Sequence, residues 1–155
     1  IGMTYYFQNN WVETLVNWKL ALEAFKAIGD QNGVSNMLNN IGAVYFNGGD
    51  DRSALDYYLE SLRVAEANKD SLRTLTALGN IGTVYLNKSS SSQLALDYLK
   101  RAFGLSKALN DHDAMGTWAV NIGELYLRRE NPTDSAPPRA HGPTTCPQTP
   151  AMLKL

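Results

Sequence analysis

One six-residue phrase returns along the chain at a fixed interval. Ile41-Gly42-Ala43-Val44-Tyr45-Phe46 reappears as Ile81-Gly82-Thr83-Val84-Tyr85-Leu86 and again as Ile122-Gly123-Glu124-Leu125-Tyr126-Leu127. The chain opens in the same phase, with Ile1-Gly2-Met3-Thr4-Tyr5-Tyr6. The phrase glycines stand at 2, 42, 82 and 123, so the intervals are 40, 40 and 41 residues. Asp30, Asp70 and Asp111 keep the same rhythm, each twelve residues before a phrase glycine. The one extra residue falls in Ser89-Ser90-Ser91-Ser92, where a polar loop absorbs it at little entropic cost. A period of this length excludes most folds. Each unit is one supersecondary element that can bury its apolar face only against the next, which gives a linear array.

Within a unit the apolar residues recur at helical spacing. Leu78, Ile81, Val84 and Tyr85 do so in one segment, and Leu55, Tyr58, Leu59, Leu62 and Ala65 in the segment before it. Asn47-Gly48-Gly49-Asp50-Asp51 breaks the pattern between two segments, as do Asn87-Lys88 and the serine run. Asp50 or Asp51 is suited to cap the helix that follows, and Asp70-Ser71 and Asp111-His112-Asp113 to cap the first helix of the next unit. The spacing predicts seven helices, near 1–8, 12–28, 33–47, 52–68, 71–87, 93–109 and 113–129, and no strand. The fold class is all-α.

The phrase glycine is the informative residue, because glycine inside a helix costs about 1 kcal/mol against alanine. Its return at one phase implies a close approach there. Small residues answer it on the second helix, Ala54 and Ser61 in one unit and Ala95 and Ala102 in the next. Tyr45 and Tyr85 are expected to fill the gap to the adjoining unit. These glycines and tyrosines are read as packing residues.

Composition divides the chain near residue 130. All six prolines follow it, and all fifteen aromatic residues precede Leu127. Residues 1–130 therefore form the repeat domain. Residues 131–155 have nothing large to bury before Met152 and cannot offset the entropy of ordering themselves. They are expected to lie outside the repeat fold as an extended or disordered tail, or one pinned by contact. Fourteen Lys and Arg stand against fifteen Asp and Glu, a net charge of −1. With no basic excess, nucleic-acid binding by phosphate neutralisation is not expected. A single cysteine excludes an intrachain disulfide framework and a Cys-rich zinc site. No apolar run approaches the roughly 20 residues of a membrane span, and no signal peptide is visible at the start. The expected location is the cytoplasm, away from membranes.

Glycine at one phase, tyrosine three residues later and alanine about nine after that is a recognisable pattern. With Met37-Leu38-Asn39-Asn40-Ile41-Gly42 and Leu78-Gly79-Asn80-Ile81-Gly82, it resembles the Leu-x-x-Leu-Gly-x-x-Tyr signature of the tetratricopeptide repeat over residues 1–130. The units are about six residues longer than the common 34 and lack the proline that usually closes the second helix. In this they are similar to the repeats of kinesin light chain and of bacterial sensor kinases, cyclases and peptide-sensing regulators.

The resemblance implies a right-handed α-α superhelix, a solenoid of about three and a half helix hairpins, whose first helices line a concave groove. It places Asn40, Asn80 and Asn121, each two residues before a phrase glycine, on that groove. Asn36, Thr76 and Thr117, then Ala43, Thr83 and Glu124, then Asn47, Asn87 and Arg128 are the adjacent positions. An asparagine amide offers two donors and an acceptor, so a ladder of Asn40, Asn80 and Asn121 is expected to grip an extended peptide backbone. The expected peptide-binding residues are Asn36, Asn40, Thr76, Asn80, Thr83, Thr117, Asn121 and Glu124. The Lys and Arg with which some family members clamp a terminal carboxylate are replaced by the uncharged Asn36, Thr76, Thr117 and Asn121. Glu124 favours a ligand with a basic or polar group.

No catalytic constellation emerges, and neither a cofactor nor a metal is expected. Asp111, His112 and Asp113 diverge at adjacent positions of a turn, with His141 remote in the tail. Cys146 sits among prolines with no base in view, and no glycine-rich phosphate loop occurs. Asp50-Asp51 and Lys100-Arg101 read as solvated faces, and Tyr57, Tyr58, Trp11 and Trp18 as packing. The expected function is a non-catalytic protein–protein interaction scaffold that takes a peptide or protein segment in its groove. The alternative is a regulatory or dimerisation segment of a larger bacterial signalling enzyme, a cyclase or histidine kinase, with no ligand of its own.

The ends bear on partners. Ile1 enters a first helix part-way. Thr133-Asp134-Ser135-Ala136 follows the pattern of Asp51-Arg52-Ser53-Ala54 until Pro137-Pro138 replaces Leu55-Asp56 and precludes helix. The expectation is a fragment with a junction just after Ala136. Arrays need polar caps. Apolar terminal faces, such as that of helix 113–129 with Trp118, Ile122, Leu125 and Tyr126, are expected to pair in a homodimer. Otherwise a folded-back tail covers them, anchored by Met152, Leu153 and Leu155.

Overall fold

A computed structural model describes residues 11–88 and 91–130, with side chains as far as Arg128. The described residues form six α-helices: α1 (Trp11–Ala27), α2 (Gln31–Asn47), α3 (Asp51–Ala67), α4 (Ser71–Leu86), α5 (Ser92–Ala108) and α6 (His112–Glu130). They match the predicted helices to within two residues. The helix predicted at 1–8 and the tail 131–155 lie outside the described residues. Each helix packs against the next through short connections, so α2, α4 and α6 are the first helices of successive units and α1, α3 and α5 the second.

The repeated aspartates set the helix starts. Asp30, Asp50, Asp70 and Asp111 each accept a hydrogen bond from the backbone N–H three residues on, at 2.9–3.0 Å. This satisfies one of the donors a helix start leaves open. The second helices also end alike. Gly29, Lys69 and Asn110 occupy the left-handed region at φ 73°, 55° and 55°, directly before the capping aspartate. Ser91 precedes α5 without a side-chain cap, at the place where the repeat gains its extra residue.

The phrase glycines sit in a common notch. A Cβ on Gly42 would lie 2.8 Å from the Tyr58 ring and 3.2 Å from the carbonyl oxygen of Ala54. One on Gly82 would lie 2.7 Å from Leu99. Tyr58 and Leu99 occupy equivalent positions on α3 and α5, and Ala54, Ser61, Ala95 and Ala102 are all buried. Tyr45 stacks on Tyr57 at 5.4 Å and Tyr85 on Tyr98 at 5.8 Å. Tyr45 and Tyr85 each also touch two successive apolar clusters, as their gap-filling role requires. Gly123 differs, because nothing among the described residues lies within 4 Å of a Cβ there.

One unit replaces apolar packing with polar packing. Ser35 and Ser61, both buried between α2 and α3, bond each other's hydroxyl at 3.0 Å. Each also reaches the other's carbonyl, at 2.9 and 3.2 Å. In the next unit the same two positions hold Leu75 and Ala102, which share one apolar cluster.

One expectation needs correction. Leu125 is not on a bare terminal face. It is 2% exposed and packs with Trp118 and Ile122 against Leu86, Leu96 and Leu99. Trp118, Ile122 and Leu125 fall at i, i+4 and i+7, so they share the face turned toward the preceding hairpin, while Tyr126 stays exposed. Asp50, Lys100 and Arg101 lie in solvent as expected, and three members of the charged pairs also have partners. Asp50 caps α3, Asp51 lies 3.7 Å from Lys88, and Arg101 bonds Glu66 at 2.8 Å.

Candidate functional site

The first helices approach one another more closely than the second helices do. α2 touches α4 and α4 touches α6, whereas α3 and α5 are bridged by the exposed side chains of Arg101 and Glu66, paired at 2.8 Å. The array therefore curves toward the first helices, and their outward residues form its inner face.

All eight residues expected to bind a peptide keep part of their surface in solvent. Most also have an internal partner. Asn80 Nδ2 donates to Asn39 Oδ1 at 2.9 Å, tying α4 to α2. Asn36 Oδ1 accepts from Arg73 Nε at 3.1 Å, and Arg73 also bonds the carbonyl of Asn32 and the carboxylate of Asp70. Glu124 accepts from Arg128 at 2.7 Å, while Arg128 also donates to the carbonyl of Leu86 at 2.9 Å. Asn40 is half-buried and engaged.

Thr76, Thr83 and Thr117 behave alike. Each hydroxyl donates to the carbonyl four residues earlier on its own helix, Leu72, Gly79 and Asp113, at 2.9–3.0 Å. Their protons are thus committed, and what they offer a ligand is a methyl group and acceptor lone pairs. Asn121 is the exception, with no hydrogen-bond partner among the described residues.

A neighbouring difference explains why. The position that holds Asn39 in one unit holds Gly79 in the next. Asn121, the equivalent of Asn80, therefore faces no amide. The Trp118 indole lies directly against Gly79, where any Cβ would collide with it. Trp118 Nε1 is buried and likewise has no partner among the described residues.

Asn39 and Arg73 belong to this face although sequence reasoning did not single them out. Adjacent asparagines at 39 and 40 were the available signal for the first. Arg73 has none, because glycine and alanine stand at its equivalents, Gly33 and Ala114. Burial raises the affinity of the Asp70 carboxyl for its proton, but the Arg73 backbone N–H and guanidinium outweigh it and hold its pKa below the usual carboxylate value. On the far side, a hydrogen bond to the Tyr45 hydroxyl at 3.4 Å raises the Lys19 pKa above the ordinary lysine value against a smaller effect of burial.

Among the described residues no cluster of His, Cys, Asp and Glu is arranged to hold a metal ion. No helix there is long and apolar enough to cross a membrane. What the described residues present is an amide-rich inner face, with its charges held in pairs, on a stack of helical hairpins.

The family model of the tetratricopeptide repeat matches residues 1–67 and 33–108, and the chain belongs to that family. It is a protein–protein interaction scaffold, with proteins as partners. It is similar to the photosystem I assembly protein Ycf3 of Acaryochloris marina, at 28% identity over 137 residues, spanning 80% of this chain and 76% of that protein.

Proposed function

We propose that residues 1–130 hold an extended segment of a partner protein along the inner face of the first helices, without catalysis and in the cytoplasm, with residues 131–155 outside the binding unit. The observation that carries this is the state of Asn121. Its amide stands on the inner face with no partner among the described residues, between the uncharged Thr117 and the Glu124–Arg128 ion pair. Such a side chain can bond both the N–H and the C=O of a peptide unit, whatever side chain that unit bears. Asn36, Asn40, Thr76, Asn80, Thr83 and Thr117 would border the same strand of peptide, with Glu124 beyond Asn121. A role in assembling a larger complex, as the name of the similar protein states for that protein, accords with a groove that reads backbone more than sequence.

Peptides selected from a random library on the wild-type chain provide the test. Asn121→Ala should weaken the selected peptides about tenfold, the cost of a lost backbone-bonding pair, while leaving the helical signal unchanged. Peptides that bind the variant with unaltered affinity would show that the inner face is not the site.

A second reading concerns the terminal face. Val120 and Leu127 are large, apolar and exposed on α6, and they favour self-association of the chain. This is the property a dimerisation segment of a larger signalling protein would need.

A further inference from the structure

We infer that α6 is a self-complementary seam through which two copies of this chain pair antiparallel across a twofold axis. The inference rests on the self-association reading above and fixes its residues and register.

Gly116, Val120, Gly123 and Leu127 fall at i, i+4, i+7 and i+11, on the face of α6 opposite Trp118, Ile122 and Leu125. Val120 is 67% and Leu127 65% exposed. A Cβ on Gly116 or Gly123 would meet nothing within 4 Å. The stripe thus alternates open notches with unburied branched side chains, and none of its residues is ionisable.

The pattern is its own complement. With the twofold axis between Asn121 and Ile122, Val120 of one copy lies opposite Gly123 of the other, and Leu127 opposite Gly116. One register satisfies all four contacts, each large side chain seated over a glycine. Two units of the chain already use this packing internally, with Gly42 under Tyr58 and Gly82 under Leu99.

The chain's own sequence is a poor alternative cover. The positions that hold Leu55, Asp56, Ser61 and Ala65 in an earlier second helix hold Pro137, Pro138, Pro143 and Pro147 after α6. Proline at four interior positions is incompatible with a helix. A seam about 17 Å long from Gly116 to Leu127, formed by one pair of helices, is at the small end of stable interfaces. The dimer is therefore concentration-dependent.

Sedimentation velocity on the full 155-residue chain, from about 1 μM to several hundred μM, reads this directly. The mass should rise from 17.1 kDa toward twice that value. Gly123→Val blocks the notch and should raise the dissociation constant at least about tenfold, with the helical signal at 222 nm retained. The exchange variant Val120→Gly with Gly123→Val restores valine over glycine in the same register and should recover the dimer. A wild-type chain that stays monomeric, whether the seam is bare or covered by its own tail, overturns both the seam and the self-association reading. A dimer that Gly123→Val leaves intact, or that the exchange variant fails to restore, overturns the register while leaving self-association standing.

Discussion

Replacing the same repeat position by alanine should change stability with opposite sign in different units. Alanine is favoured over glycine in a helix interior by about 1 kcal/mol, partly through the unfolded chain, and this gain is common to all three phrase glycines. What differs is the space. At Gly42 the new methyl would sit 2.8 Å from two carbons of the Tyr58 ring and 3.2 Å from a backbone oxygen. Ordinary carbon contacts begin near 3.5 Å. Tyr58 is 1% exposed and cannot swing aside, so the overpacking cost is at the upper part of the usual range of about 1–3 kcal/mol. Gly42→Ala should lose about 1–2 kcal/mol net. At Gly82 the methyl would sit 2.7 and 2.8 Å from Leu99 Cδ2 and Cγ, and Leu99 is as fully buried as Tyr58, so the net loss should be similar, about 1–2 kcal/mol. At Gly123 the notch is open and Gly123→Ala should gain up to about 1 kcal/mol. Between the first and last variants that is a melting-temperature difference of about 6–10 °C. Thermal unfolding followed at 222 nm, at about 2 μM so that association of chains is negligible, measures it. If Gly123→Ala costs as much as Gly42→Ala, the notch at 123 is filled in the free chain and the reasoning fails. If Gly42→Ala is stabilising, the close approach to Tyr58 does not exist.

Three further outcomes follow from the polar contacts. Ser61→Ala strips a partner from the buried Ser35 and should cost about 1 kcal/mol, whereas Ser35→Ala with Ser61→Ala removes both partners and should return close to wild type in urea denaturation. Asn80→Ala should destabilise by about 1–2 kcal/mol, because Asn39 is only 8% exposed and would lose its donor, while Asn121→Ala should stay within about 0.5 kcal/mol. Asp70 is held below the usual carboxylate pKa in the folded chain, so its charge adds stability above the unfolded pKa of about 4, and this is lost as pH falls through the folded value. Wild type should therefore exceed Asp70→Asn at pH 7 by about 1–2 kcal/mol, with the gap closing below about pH 4 in acid unfolding curves.

The fold was legible because its determinants are local and periodic. A glycine, a tyrosine and an aspartate at constant phase report a notch, a filler and a cap, and none depends on knowing what lies across the array. The inner face is another matter. Its threonines carry the right chemistry in sequence, but whether each hydroxyl turns to its own backbone is a rotamer choice that periodicity does not encode. Asn80 and Asn121 are the same residue at the same phase, yet one is tied and the other has no partner among the described residues. The difference lies 41 or 42 residues away, at Asn39 in one case and Gly79 in the other. Separation along the chain also hid the burial of Leu125, since its neighbours Leu86 and Leu96 belong to the preceding hairpin.

That exchange has two consequences at once. Losing the side chain at 79 removes the acceptor that would have occupied Asn121, and it opens the space that Trp118 enters in place of the smaller Met37 and Ala77 of earlier units. Holding the helices together at this level passes from an amide–amide bond to an indole in a glycine notch. At this level the contact between α4 and α6 is apolar, and the Asn121 amide has no partner among the described residues. A ladder in which every asparagine bonded its neighbour would be a structural spine with little left to bind. On the binding reading proposed above, that one glycine makes the level of Asn121 the place where a partner's backbone would meet an amide that has no partner among the described residues.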